Sequence, residues 1–163
     1  SQLWRLLRWQ PYIRKFEELM GKRRVARELA LKLLYQCEFN PDDIETQIEQ
    51  FCRRSGTQVE IINFMRVLVE KVFAHGYEID ALLKKFSDHW TLERISMVDR
   101  SILRLGICEL IFETSTPPKV AINEAVEIAK KFSTKDSPDF INGILDKVYK
   151  ETLKGTSSNT AEK

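Results

Sequence analysis

Residues 135–148, KDSPDFINGILDKV, admit two readings, and the choice between them decides the fold. Asn142-Gly143 between Ile141 and Ile144 is the strongest short signal for a β-hairpin. The surrounding apolar residues, however, are Phe140, Ile141, Ile144, Leu145 and Val148, which share one helix face and do not alternate as in a strand. Ahead of them, Lys135-Asp136-Ser137-Pro138 supplies a cap, at either Asp136 or Ser137, followed by a first-turn proline. The segment is therefore expected to be helical. Gly143 would then let a neighbouring helix approach closely, at a propensity cost of about 1 kcal/mol.

Moving outward, the same period recurs. Val120, Ile122, Val126, Ile128 and Ala129 predict a helix over about 119–132. Ser96-Met97-Val98-Asp99 reads as a capping box with Asp in place of Glu. It opens a helix bearing Ile102, Leu103, Leu105, Cys108, Leu110 and Ile111 that Pro117-Pro118 should stop. A long stripe from Val59 to Phe86 has only Gly76 as a possible bend. Ile44, Ile48, Phe51 and Cys52 form another stripe, with Asn40-Pro41 as its expected cap and first-turn proline and Gly56 near its end. Ala26, Ala30, Leu33, Leu34 and Cys37 place a first helix over 23–39. No segment reads convincingly as a strand, so the fold class is all-α.

The 163 residues suit one domain, and 43% hydrophobic content is too high for a disordered chain. No apolar run approaches the roughly 20 residues that span a bilayer. Cys37, Cys52 and Cys108 are odd in number, make no CxxC, and lie apart from His75 and His89. They read as small reduced hydrophobes suited to the cytoplasm, with no metal site or cofactor expected. Enzyme signatures are missing too. Gly21-Lys22 lacks the rest of a P-loop, and no GxSxG or HExxH occurs. Glu109, Glu113, Glu124 and Glu127 have ordinary helical spacing and are expected to be exposed or locally paired.

Charge is more informative. The net +2 hides nine Lys and Arg against four acids in residues 1–40. Lys22, Arg23, Arg24 and Arg27 open the first helix, with Arg23 and Arg27 one turn apart, and Lys32 follows. Such a cluster can track a nucleic-acid backbone and release counterions, or can simply be a solvated face. Residues 1–19 stand apart, with two of the three tryptophans and no acid before Glu17. An upstream extension, a docked amphipathic helix burying Leu3, Leu6, Leu7 and Trp9, and a targeting or membrane-surface peptide are all open for this stretch. Residues 154–163 are expected to be a disordered tail.

Three blocks occur in order: RRVARELALKLLYQCEF at 23–39, ERISMVDRSILRLGICELIF at 93–112, and PPKVAINEAVEIAKKFSTKDSPDFINGILDKVYKE at 117–151. Together they resemble the NusB family of bacterial transcription antitermination factors over about residues 22–151. The resemblance implies one domain over residues 20–153, made of two packed helical subdomains, with no catalysis. It also implies binding to the boxA element of ribosomal-RNA leader transcripts together with NusE, a small-subunit ribosomal protein, and entry into the RNA polymerase elongation complex.

Carried over by position, the resemblance implies RNA contacts at Lys22, Arg23, Arg24 and Arg27, and at Lys135, Asp136 and Phe140. Val25 stands where some relatives have a further Arg. Phe140 could hold an unpaired base or pack on the Ile144 stripe. The implied partner contacts are Tyr35, Glu93 and Asp99, although Asp99 replaces a longer acid and could instead cap its own helix. Arg104 is expected in an internal ion pair. Two other readings stay open: a helical protein-interaction module, and a relative of the RNA-binding front end of RNA cytosine methyltransferases. Monomer and homodimer are equally compatible with the sequence.

Overall fold

The structure is a computed structural model. It describes residues 2–88 and 91–154, with side chains for 10–88 and 91–153. Seven α-helices follow in order: α1 Gln2–Phe39, α2 Ile44–Ser55, α3 Val59–Ala74, α4 Gly76–Phe86, α5 Met97–Ile111, α6 Pro118–Phe132 and α7 Ser137–Val148. A 3-10 turn, Leu92–Arg94, precedes α5, and a π-helical segment, Tyr149–Lys154, extends α7. No strand occurs among the described residues.

Two helical subdomains, α1–α3 and α4–α7, share one core. Ala26, Ala30, Leu33 and Leu34 of α1 meet Met65, Leu68, Val69 and Val72 of α3 in it. Helix α5 packs against α1 and α3 on one side and α4, α6 and α7 on the other, with Ile102, Leu103, Leu105, Ile107, Cys108 and Leu110 all buried. A helix apolar nearly all round belongs in an interior. Gly106 makes its contact with α7 possible, because a Cβ there would sit 2.7 Å from Leu145 Cδ1.

Several local expectations are corrected. Helix α7 does run through Asn142-Gly143, but Gly143 faces open space, so the close approach is at Gly106. Helix α2 is capped by Asp43, whose carboxylate accepts from the Thr46 backbone N–H at 3.2 Å. Asn40 instead accepts from the Asp42 N–H at 3.0 Å, leaving Pro41 outside the helix. Gly56 ends α2 at φ 58°, where only a residue without Cβ rests easily. The long 59–86 stripe breaks at His75, whose ring stacks 3.9 Å from that of Phe112. Helix α5 ends at Ile111, well before the prolines, and Pro117-Pro118 instead opens α6.

Helix α1 extends without a break through Pro11 to Gln2, so residues 2–19 and the first domain helix are one element. From Gln10 to Leu19 its side chains are exposed, including Tyr12, Ile13 and Phe16. The side chains of Leu3, Leu6, Leu7 and Trp9 lie outside the described ones, as do residues 155–163, where most of the expected tail falls. Among the described residues, no helix is long and apolar enough to cross a membrane.

Candidate nucleic-acid interface

The four leader cations lie close together on α1 but differ in burial. Lys22 is partly exposed, 3.5 Å from Glu18 one turn earlier. Arg23 donates to the Ser115 and Thr116 hydroxyls at 3.4 and 3.2 Å, with its guanidinium 4.5 Å over the Phe64 ring. Arg24 lies bidentate on the Glu124 carboxylate, at 2.9 and 2.8 Å, with its side chain 51% exposed and that of Glu124 only 6%. Its outer edge remains open to a ligand. The Glu124 hydrogen bond also raises the Arg24 pKa, so this guanidinium is a permanent cation.

Arg27 corrects the expectation of four surface cations. Its side chain is 3% exposed, with Nε donating to Glu109 at 2.6 Å and Nη2 donating to the Thr116 hydroxyl at 3.3 Å. Nη1 is 3.9 Å from Glu124. It cannot reach a phosphate without leaving the buried Glu109 carboxylate uncompensated and Glu124 with Arg24 alone. The same cluster corrects the reading of Glu109 and Glu124, which are buried and paired to α1 across 82 and 100 residues of sequence. Burial pushes the Glu109 carboxyl up, against the pull of Arg27. The spacing held a signal for Arg27, since it lies one turn from Ala30 and Leu31 and two from Leu34, on the apolar face.

The second group surrounds the α6–α7 junction. Arg94, Ile95, Ser96, Asp99, Thr134, Asp136, Ser137 and Phe140 line an open cavity of about 390 Å³. Lys135 and Asp136 are exposed on its rim, and Phe140 is half-buried against the core. Asp136 occupies the N-cap position of α7 without a side-chain capping bond. Ser137 is not the cap either, because its hydroxyl donates to Asp99 at 2.9 Å. Asp99 also accepts from Ser133. Its carboxylate thus ties α5 to α7; only the Ser96 half of the expected capping box forms, with Ser96 Oγ accepting from the Asp99 N–H at 3.2 Å.

Of the partner candidates, Tyr35 and Glu93 are exposed and Asp99 is buried. The Tyr35 ring lies 5.1 Å from that of Phe39, also exposed, and the two form an aromatic ledge on α1. Arg104 forms the expected internal pairs, with Asp80 at 2.9 and 3.1 Å and Glu38 at 2.8 Å. Cys108 is buried, and desolvation pushes its thiol pKa up to about 12, which makes it an inert core residue. No cluster of three potential metal ligands occurs among the described residues.

The geometry thus offers cations and a half-buried ring for an anionic chain, and an aromatic ledge for a protein. Known proteins share this frame. The NusB family profile matches residues 24–150. The transcription antitermination protein NusB of Thermodesulfovibrio yellowstonii is 42% identical over 142 residues, covering 81% of this chain and 94% of that protein. That of Acetivibrio thermocellus is 44% identical over 137 residues, covering 84% and 94%. Among solved structures, T. maritima NusB is 36% identical with a TM-score of 0.74, covering 83% of this chain and 96% of that one. A crystal structure of the antitermination factors NusB and NusE in complex with dsRNA includes a chain 28% identical to this one. The TM-score is 0.72, and the match covers 80% of this chain and 98% of that one. With its family profile matched over most of its length, its fold shared and both relatives named above antitermination proteins, the chain belongs to the NusB family.

Proposed function

We propose that this chain is a transcription antitermination factor that binds the boxA element of ribosomal-RNA leader transcripts jointly with NusE and enters the RNA polymerase elongation complex. It acts by binding, without catalysis, in the cytoplasm. The observation that carries this reading is the match to a NusB chain solved with NusE and RNA, which extends over 98% of that chain. The residues fit the role. Lys22, Arg23 and Arg24 are cations midway along α1, and Lys135 adds another at the α6–α7 junction. Phe140 supplies an aromatic ring on which an unpaired base can stack. Tyr35 and Glu93 face the protein partner, with Tyr35 the rigid amphipathic anchor. Asp99 acts from beneath, by holding the wall of the cavity that Phe140 lines. The working unit is residues 20–153.

A titration of labelled boxA RNA with this chain, with and without NusE and at several salt concentrations, tests the reading. Binding that tightens when NusE is added, and that prefers boxA over a scrambled RNA, is the expected result. A chain that captures NusE but never RNA would instead be a protein-interaction module.

A further inference from the structure

The leader cations and the α6–α7 junction are separate ends of the proposed RNA site, and the seam between α1 and α6 connects them. Along α1, Arg24, Glu28 and Lys32 are four residues apart and share a face over about 12 Å. Glu124 and Lys131 of α6 meet that face. Arg24 sits on Glu124, as described, and Lys131 Nζ sits on Glu28 at 3.1 Å from each carboxylate oxygen. The two pairs are built alike although the acid belongs to opposite helices. In each, the acid is sunk and the cation stands outside: Lys131 is 61% exposed above Glu28 at 18%. Next to this pair, the half-buried Phe132 ring carries two ammonium groups, Lys131 at 5.3 Å and Lys32 at 5.8 Å from its centroid. Cation–π attraction and the carboxylate below hold these flexible side chains over the seam. Lys135 follows at the far end, next to the cavity lined by Phe140.

We propose that the α1–α6 seam is the middle of the RNA track, where Lys131 and Lys32 contact backbone phosphates while Glu28 and Glu124 are positioning residues that hold Lys131 and Arg24 outward. The inference rests on the RNA-binding reading above and adds contacts that the leader and the α6–α7 junction do not include. Ordinary electrostatics and positioning predict opposite signs for the acids. If Glu28 acts only through its charge, neutralising it should strengthen binding to a polyanion. If it positions Lys131, neutralising it should weaken binding, because the lysine loses its fixed place.

The experiment is fluorescence anisotropy of labelled boxA RNA with the full chain across a salt series, with thermal melting of every variant. Lys131→Ala and Lys32→Ala should each flatten the slope of log K against log salt by about 0.7, the amount expected for one phosphate contact on a single strand. Lys131→Arg should restore it. Glu28→Gln should weaken binding by roughly two- to fivefold, the scale of one exposed ion contact. In the Lys131→Ala background it should have no further effect, as coupled residues require. Lys131→Ala with an unchanged slope, while Arg24→Ala flattens it, would overturn the seam and leave the leader reading standing. Unchanged slopes in both would overturn both. Tighter binding by Glu28→Gln would show that the acid only repels. Lys131 is exposed, so its variants report on binding even if Glu28→Gln melts early.

Discussion

Midway along its length α1 meets α5 and α6 through Arg24, Arg27, Glu109 and Glu124; near its C-terminal end it meets α4 and α5 through Glu38, Asp80 and Arg104. Both clusters fasten the long helix to the rest of the molecule. At the first, one arginine and two glutamates are buried, and the outermost group is the Arg24 guanidinium. At the second, one arginine sits between two carboxylates on different helices, and the balance is negative. The same side-chain chemistry therefore turns a positive face outward midway along α1 and a negative one at its C-terminal end. What distinguishes them is which group lies outermost, together with the balance of charge, even at the first and one negative at the second. The proposed RNA site therefore expects a polyanion at the first and none at the second.

The largest effect that would break this comparison belongs to Arg27. Arg27→Ala leaves Glu109 and Glu124 buried with only Arg24 to compensate, and should cost about 3–5 kcal/mol, the usual cost of stranding a buried charge. For a domain of this size that is a fall in melting temperature of roughly 6–20 °C. Calorimetry of the purified variant checks it. A drop of only a degree or two would mean that Arg27 is a surface cation after all. Arg104→Ala should cost less, about 1–3 kcal/mol, since Glu38 and Asp80 keep partial access to water. Urea unfolding measures that loss.

The smallest expected change is at Asp136, where the carboxylate makes no capping bond. Asp136→Asn should move the melting temperature by no more than about 2 °C, because only a few tenths of a kcal/mol to about 1 kcal/mol of helix-terminus attraction is at stake. Removing a negative charge beside Lys135 should leave RNA binding equal or tighter, most visibly at low salt. Clearly weaker binding with intact stability would make Asp136 a hydrogen-bond acceptor in recognition.

How much of this was legible in the sequence varies with how local its cause is. The 3.6-residue period and the Ser-Pro opening carried α7 past the Asn-Gly hairpin signal, because burial of Ile141, Ile144 and Leu145 outweighs a two-residue turn preference. Helix α5 was equally plain, and so was the internal pairing of Arg104. The partners of Arg27 and Arg24 were not, since Glu109 and Glu124 lie 82 and 100 residues away and nothing local marks them as buried. Charged side chains default outward in any single-sequence reading. Here that default hides the cluster on which the Arg24 geometry depends. Capping is a subtler case. Asn40 and Asp43 are both good cap types, three residues apart, and only the packed position of α2 selects Asp43. The two glycines teach the same lesson, for Gly106 is needed by Leu145 of another helix while Gly143 meets nothing.

The comparison between the middle and the C-terminal end of α1 reduces to one measurement: the salt dependence of boxA RNA binding for Arg24→Ala set beside Arg104→Ala, both judged against the unaltered chain. Each substitution removes one arginine, Arg24 paired with Glu124 of α6 and Arg104 with Glu38 of α1 and Asp80 of α4, so the change in net charge is the same. The account predicts that Arg24→Ala flattens the slope of log K against log salt by about 0.7 while Arg104→Ala leaves it unchanged. Equal slopes in the two variants, or a flattened slope for Arg104→Ala alone, would contradict the assignment of the positive middle of α1 as the RNA-binding face.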